Sequence, residues 1–265
     1  MIRFSFKKKV LYGVFLILMS WLYRIRCRDR ANIRKLKAHL AAQGSAIIVF
    51  NHISLDDAVV MLQPFYEEMG DQIDVIIAPG SRRHWGNLLT GIMMRLADLI
   101  NLRVIPVVQH YERNLDSEQS QRKQNWPGFL LEKVLGQRSY LRKEIILGLD
   151  RQFVRAVHKV LAERGGIVLI APEGHRREDD KIGMFQNGIG FLLRYAKNKD
   201  RKTVVVLVGI IPGEGCNRGL NLFRDFEVRV NNPLTIADIE KEANLRHLDP
   251  VELIRVKTEE LVQAA

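Results

Sequence analysis

Two short polar segments of this 265-residue chain carry the residue types that acid–base chemistry needs. In the first, His52 follows an apolar run, and Asp57 comes five positions later. A carboxylate at this spacing can accept a hydrogen bond from one ring nitrogen, which leaves the other nitrogen free to take a proton. We therefore predict that His52 is a general base and that Asp57 orients it and stabilises its charged form. The alternative is that Asp57 only caps the helix that follows.

The second polar segment has the sequence A-P-E-G-H-R-R from 171 to 177 and also follows an apolar run. Its proline ends a strand, and Gly174 allows the backbone to approach a ligand closely. Arg176 and Arg177 supply the forked donors that suit a phosphate, so the segment predicts an anion site. The alternative is a charged surface loop in which Glu173 pairs with one of the arginines.

Both segments must be positioned by the elements that precede them. Past residue 44 the chain alternates short β-branched runs with amphipathic stretches, which is typical of an α/β fold with a mostly parallel sheet flanked by helices. Such sheets bind ligands beyond the carboxyl ends of their strands, where both polar segments lie. The predicted strands cover 46–50, 74–78, 103–108, 166–171, 203–211 and 226–230.

Apolar residues at helical spacing predict one helix over 149–164, which Gly165 and Gly166 would end, and another over 183–197. The polar stretch 111–142 contains a Trp-Pro-Gly turn signal, and we predict that it is an insertion. We therefore expect an N-terminal membrane-anchoring segment over 1–40 and one α/β domain over 41–265.

The expectation of an anchor comes from the distribution of charge. The first 38 residues contain eleven Lys and Arg against one acid, Asp29, and so hold ten of the eleven net positive charges of the chain. These cations surround an uncharged run over 10–23, and its fourteen residues would rise about 21 Å as a helix, short of a hydrocarbon core of about 30 Å. The run therefore predicts a helix that lies in the interface of an anionic membrane. The alternative is a buried core helix with solvated basic ends.

The composition of the chain excludes several other classes of protein. The two cysteines, Cys27 and Cys216, exclude a disulfide framework and a cysteine-based zinc site, and they indicate a reducing compartment. Because the charge is confined to the N-terminus, we do not expect nucleic acid as a partner. No small-residue cleavage site follows the apolar run, so we do not expect a signal peptide. We expect the chain on the cytoplasmic face of a membrane.

Taken together, the two polar segments resemble the motifs of the glycerolipid acyltransferase family typified by lysophosphatidic acid acyltransferases. Residues 51–57 match its N-H-x-S-x-x-D block, and residues 172–176 match its P-E-G-T-R block at all positions but one. Downstream, F-Q-N-G at 185–188 and I-I-P at 210–212 are similar to segments that follow in this family. The resemblance covers roughly residues 45–233.

The resemblance implies an enzyme of phospholipid biosynthesis that moves a fatty acyl group from acyl-carrier protein or coenzyme A to a hydroxyl of a lysophospholipid-like acceptor. It places the His–Asp pair of the family on His52 and Asp57, and its acceptor-phosphate residues on Glu173, Gly174 and Arg176. It implies no metal and no bound cofactor.

Three features depart from the family pattern. His175 stands where the family's P-E-G-T-R block has threonine, and Arg177 stands where a serine often follows that block. Gln109 stands where an arginine usually ends another block of the family. Arg103 or Arg113 could replace that arginine. The polar insertion is also longer than the usual connection. Two alternatives therefore stay open: a catalytically silent lipid-binding protein, and a hydrolase that uses the His–Asp pair on water.

Overall fold

The computed structural model describes residues 6–54, 57–70, 75–81, 102–107, 143–162, 165–173, 182–186, 188–198, 202–216 and 221–263. Within these ranges the chain forms seven helices and eight strands. In chain order they are α1 (Phe6–Leu22), β1 (Arg24–Arg28), α2 (Arg30–Ala41), β2 (Ser45–Phe50), α3 (Asp57–Met69), β3 (Val75–Ser81), β4 (Leu102–Val107), α4 (Lys143–Ala162), β5 (Gly166–Ile170), α5 (Gly188–Asn198), β6 (Thr203–Pro212), β7 (Asp225–Val230), β8 (Leu234–Thr235), α6 (Ile236–Arg246) and α7 (Pro250–Gln263).

The fold is α/β, and its strands form a mixed, mostly parallel sheet flanked by helices, as predicted. The chain divides into a larger unit, residues 1–76 and 160–265, and a smaller unit, residues 77–159. In the larger unit the strand order is β1-β7-β6-β2-β5, and β8 also pairs with β6. The pairs β2–β5, β2–β6 and β1–β7 are parallel, whereas β7 and β8 run antiparallel to β6. In the smaller unit, β4 neighbours β3.

The central strands are apolar along nearly their whole length. Every residue of β2 and β5 is buried, and so are the first eight residues of β6. A parallel strand with helices on both faces has no side in water, so its sequence is an unbroken apolar run instead of an alternating one. The two polar segments begin directly after β2 and β5.

All six predicted strands are present, with ends that differ from the prediction by at most three residues. The prediction missed β1 and β8. Only alternate residues of β1, with the sequence R-I-R-C-R, are partly buried, and β8 has two residues. Charged side chains of this kind are common on edge strands because they discourage pairing with other chains, and they hide the strand from a search for apolar runs.

The two predicted helices are present with shifted bounds. α4 begins six residues earlier than predicted, and Gly165, which follows it, has the positive φ of 74° that favours glycine. The predicted start at 183 is wrong, since α5 begins at Gly188 and residues 182–186 form a loop. Gly183 lies in this loop, and its N–H donates to the carboxylate of Glu173, which follows β5. The predicted insertion, 111–142, lies outside the described residues.

Residues 24–41 are built into the larger unit. β1 pairs with β7 along its whole length, and α2 buries Ile33, Leu36 and Leu40. Within 1–40, α1 is the part that precedes these two packed elements, and the predicted boundary at residue 40 stays a prediction. Among the helices that the structure describes, none combines the length and hydropathy needed to cross a bilayer.

Some of the N-terminal cations are engaged within the fold. The Arg28 side chain lies 3.1 Å from the Glu227 carboxylate, and the Arg30 side chain lies 2.8 Å from that of Glu67. Exposed ion pairs of this kind add little stability, but they offset charge. The charge that the N-terminal segment presents to a partner is therefore smaller than the count from the sequence.

Candidate active site

The site begins where β2 leaves the sheet. Pairing of β2 with β6 ends with Phe50 opposite Val208. Asn51 then extends the pairing with its side chain: its Nδ2 donates to the Ile210 carbonyl at 2.9 Å, and its Oδ1 accepts from the Ile210 N–H at 2.7 Å. The buried chain can turn away from the sheet because the amide satisfies both backbone groups of Ile210. These two hydrogen bonds fix the start of the turn that carries His52.

The His52 ring meets the carboxylate of Asp57, the first residue of α3, with 2.7 Å between Nδ1 and Oδ2. The Asp57 side chain is 2% exposed and the His52 side chain 24% exposed. An ionised carboxylate can only accept, so Nδ1 must be the donor. The lone pair of the neutral ring then lies on Nε2, which is the nitrogen that can take a proton from a bound molecule.

Asp57 also organises the backbone of the turn. Its Oδ2 accepts from the Ile53 N–H at 2.6 Å, and its Oδ1 accepts from the N–H and the hydroxyl of Ser54, both at 2.9 Å. The contacts of Asp57 with the N–H and hydroxyl of Ser54 are those of a capping box, in which a side chain of the first helical turn accepts from the residue before the helix. The contacts of Asp57 with the His52 ring and the Ile53 N–H are not part of a capping box. Asp57 therefore shapes the turn around His52, which is more than the capping alternative requires.

Glu173 connects the second polar segment to the same turn. It follows β5, is 2% exposed, and accepts from the His52 N–H at 2.8 Å through Oε1 and from the Gly183 N–H at 2.9 Å through Oε2. Burial raises the pKa of the Glu173 carboxyl, while the two backbone hydrogen bonds act in the opposite direction. The carboxylate thus holds the chain after β5, the turn after β2 and the loop before α5 together.

Of the five residues predicted for the site, the structure brings three together: His52, Asp57 and Glu173. Gly174 and Arg176 lie outside the described residues.

The neighbours His175 and Arg177 lie outside the described residues as well. Of the two candidates for the missing arginine, Arg103 is an exposed residue of β4 in the smaller unit. Arg113, like Gln109, is not among the described residues.

Sequence reasoning gave no role to Asn51 or Gly183. Its position could have identified Asn51 as a site residue, because it is a polar residue directly after the apolar run of β2. The structure shows that Asn51 is buried there. Gly183 acts only through its backbone N–H, which any residue but proline has, so its type carries no signal.

A separate open cleft of about 410 Å³ is lined by residues that include Arg28, Arg229 and Lys257. It lies at the carboxyl ends of β1 and β7 and contains neither His52 nor Glu173, so we do not connect it with the site. Among the described residues, no three His, Cys, Asp or Glu side chains come together as a metal site.

The fold and the site define a class of α/β protein in which a buried carboxylate holds a histidine ready to accept a proton at the carboxyl edge of the sheet. Residues 24–211, more than half of the chain, match the Acyltransferase family, and the chain belongs to this family. The match confirms the resemblance to glycerolipid acyltransferases and makes acyl transfer the general activity. It begins with β1 and contains all the site residues. No curated protein matches the chain.

The role of Glu173 can be tested with Glu173→Gln. The new amide would direct an NH₂ group at one of the two backbone N–H donors, at His52 or at Gly183, and so leave a buried donor unpaired. We expect the free energy of unfolding to fall by about 1–3 kcal/mol and kcat to fall about tenfold or more. Urea unfolding and steady-state kinetics measure both.

The matched control is Glu260→Gln, which makes the same change at an exposed residue of α7 and should leave both values close to wild type. Equal behaviour of the two variants would contradict the assignment of Glu173 as the connection between the loops.

Proposed function

We propose that this enzyme transfers a fatty acyl group from an acyl thioester, carried by acyl-carrier protein or coenzyme A, to a hydroxyl of a lysophospholipid-like acceptor, as lysophosphatidic acid acyltransferases do. The observation that carries the proposal is the 2.7 Å contact of the His52 ring with Asp57 in a chain of the Acyltransferase family. A thioester is already activated, so the attack needs a base for the acceptor hydroxyl and no nucleophile from the protein.

In the proposed reaction the acceptor hydroxyl gives its proton to Nε2 of His52 while its oxygen bonds to the thioester carbonyl carbon. The C–S bond then breaks, and the proton on Nε2 passes to the departing thiolate sulfur. The products are one ester and one thiol, and the ring is neutral again. The proposal contains no acyl-enzyme, no metal and no bound cofactor.

Asp57 would contribute by stabilising the positive charge that the ring carries between these two proton transfers. Its carboxylate is buried and already accepts from the Ile53 and Ser54 backbone, so it is fixed before the charge appears. Preorganised charge in a site with little water is more effective than charge that must first reorient.

Gly174 and Arg176 are proposed to bind the acceptor phosphate, as the family resemblance implies. Glu173 supports this assignment by its position, since it directly precedes Gly174 and its Oε1 is bonded to the backbone of His52. The headgroup segment therefore starts in the same hydrogen-bonded cluster as the base. Because both Glu173 oxygens accept from backbone groups, we propose that Glu173 positions this segment and that the Arg176 fork binds the phosphate.

The acceptor is a lipid, so the enzyme is proposed to work on the cytoplasmic face of an anionic membrane. The apolar helix α1 is the proposed contact, with the cations Lys7, Lys8 and Lys9 near its start. Each basic residue close to anionic headgroups adds about 1 kcal/mol to binding, and salt screens this part.

We expect His52→Ala to abolish acyl transfer without changing the fold, because the ring supplies the only base in the proposed reaction. Asp57→Asn should cost almost as much, since either orientation of the amide directs an NH₂ group at a backbone N–H of the turn. Thiol release from an acyl thioester, measured with and without lysophosphatidic acid, tests both variants. Circular dichroism checks the fold.

The same assay separates the proposal from its alternatives. Thiol release by the wild type that requires the lysolipid supports a transferase, release without it indicates a hydrolase, and no release indicates a lipid-binding protein. A His52→Ala variant within about tenfold of wild type would remove His52 from the mechanism, because a general base contributes about 10²-fold or more.

We expect Arg176→Ala to raise the KM for the acceptor by tenfold or more, because a charge-assisted fork to phosphate is lost, and to leave the KM for the thioester nearly unchanged. Arg177→Ala is the matched control, since Arg177 lies outside the family motif and should matter less. A selective rise in the thioester KM would reassign this segment to the phosphates of the acyl carrier.

A further inference from the structure

Two segments that are far apart in the sequence present exposed apolar side chains next to each other: α1, and the end of the connection between β6 and β7. We propose that Leu222 and Phe223 of this connection form a second lipid-contacting element. Together with α1 they would dock the enzyme on an anionic membrane so that the edge of the sheet that carries His52 faces the lipid. This inference rests on the proposed action at a membrane and adds a site and an orientation to it.

Among the side chains of α1 that the structure describes, the exposed ones are apolar except that of Ser20. Val14, Ile17, Leu18 and Trp21 recur at helical spacing, and these residues are 46–71% exposed. Met19 is buried, and α1 contacts α3 and β1. A helix on the surface of a globular protein normally turns its polar face to water. An apolar stripe on the outer side is typical of a helix that lies in a membrane interface.

Phe223 holds an aromatic ring outward in an unfavourable backbone conformation. Its φ is 63°, in the left-handed region that suits glycine, and the residue is 56% exposed. Leu222 beside it is also exposed. Packing in the core does not require large apolar side chains at exposed positions. Residues held in such conformations cluster at functional sites, where the surrounding structure maintains the strain.

Several contacts join this connection to α1. The Phe223 N–H donates to the carbonyl of Leu22, the last residue of α1, at 2.7 Å, and the Arg24 N–H donates to the Arg224 carbonyl at 3.2 Å. The Trp21 and Phe223 rings pack edge to face with 5.4 Å between their centroids. The stripe on α1 and the Leu222–Phe223 pair therefore form one surface, which we call the aromatic edge.

The strand registers place the aromatic edge on the same side of the sheet as the base. β2 and β6 are parallel, so the turn with His52 leaves at the edge where β6 ends. The antiparallel pairing of β6 with β7 puts the start of β7 at that edge, with Phe226 opposite Pro212. β1 starts there as well, since Arg24 lies opposite Asp225. Trp21 lies three residues before the start of β1, and Phe223 lies two residues before the start of β7.

The charges around the aromatic edge favour lipid as its partner. Arg24 and Arg224 flank the rings, are exposed, and have no ion pair with another described residue. The exposed Asp225 offsets one of these charges. Apolar side chains bordered by cations complement a membrane surface in which anionic headgroups cover an apolar interior.

The test uses Phe223→Gly, a change that removes the ring and also relieves the backbone strain. We expect a Tm at or above that of wild type and a dissociation constant for mixed phosphatidylcholine and phosphatidylglycerol vesicles raised about tenfold, at low and at high salt. Co-sedimentation measures the binding. Leu222→Ser, which leaves Phe223 unchanged, should weaken binding in the same direction.

Two further variants are compared with Phe223→Gly in the same vesicle assay. Leu245→Ala truncates an even more exposed apolar side chain of α6, a helix that starts beside the opposite, amino end of β6, and this variant should bind vesicles like wild type. Ile17→Ser tests the stripe on α1 by itself and should weaken binding.

Each other outcome overturns the proposal in a recognisable way. If Phe223→Gly and Leu222→Ser bind like wild type while Ile17→Ser is weakened, the connection is not a lipid contact, although α1 still is. If the wild type does not sediment with vesicles, the proposed membrane function fails together with this inference. If the variants change self-association without vesicles and leave vesicle binding unchanged, the aromatic edge is a contact between copies of the chain.

Discussion

The Asp57 carboxylate is almost completely buried, and a charge in such a place is stable only when donors surround it. Four donors do so: the His52 ring, the N–H groups of Ile53 and Ser54, and the Ser54 hydroxyl. The need to supply them determines the path of the chain between β2 and α3. The His52 ring is held in place because it is one of the four, and so the requirement that makes the turn stable also orients the base.

Two more side chains extend this cluster through backbone groups. Asn51 binds both the N–H and the carbonyl of Ile210 in β6, and Glu173 binds the N–H groups of His52 and Gly183. Asn51 and Glu173 each lie just after the end of a strand. Each side chain binds backbone groups of another segment, and those groups would otherwise be buried without hydrogen-bond partners. The position of the base therefore depends on β2, β5 and β6 together.

The sequence predicted the features that depend on local pattern. Buried parallel strands are unbroken apolar runs, so β2, β5 and β6 were found nearly to the residue, and the spacing of His52 and Asp57 predicted their contact. β1 was missed because an edge strand with three arginines lacks that pattern. The contact of Glu173 with the acceptor stays a prediction. The contacts of Glu173 with two backbone N–H groups were missed, because no side-chain pattern encodes bonds to backbone groups of other segments. Likewise, the aromatic edge depends on a pairing of Leu22 with Phe223 that only the folded sheet brings about.

The central claim is that Asp57 holds His52 with a proton on Nδ1 and an available lone pair on Nε2. Nitrogen-15 NMR of histidine-labelled enzyme measures this directly, and the His52 signals among the seven histidines are those that disappear in His52→Gln. At a pH where the ring is neutral, the account predicts that Nδ1 carries the proton and that Nε2 shows the shift of an unprotonated nitrogen. A neutral His52 with its proton on Nε2 would contradict the account, because Nε2 could then not accept the proton of an acceptor hydroxyl.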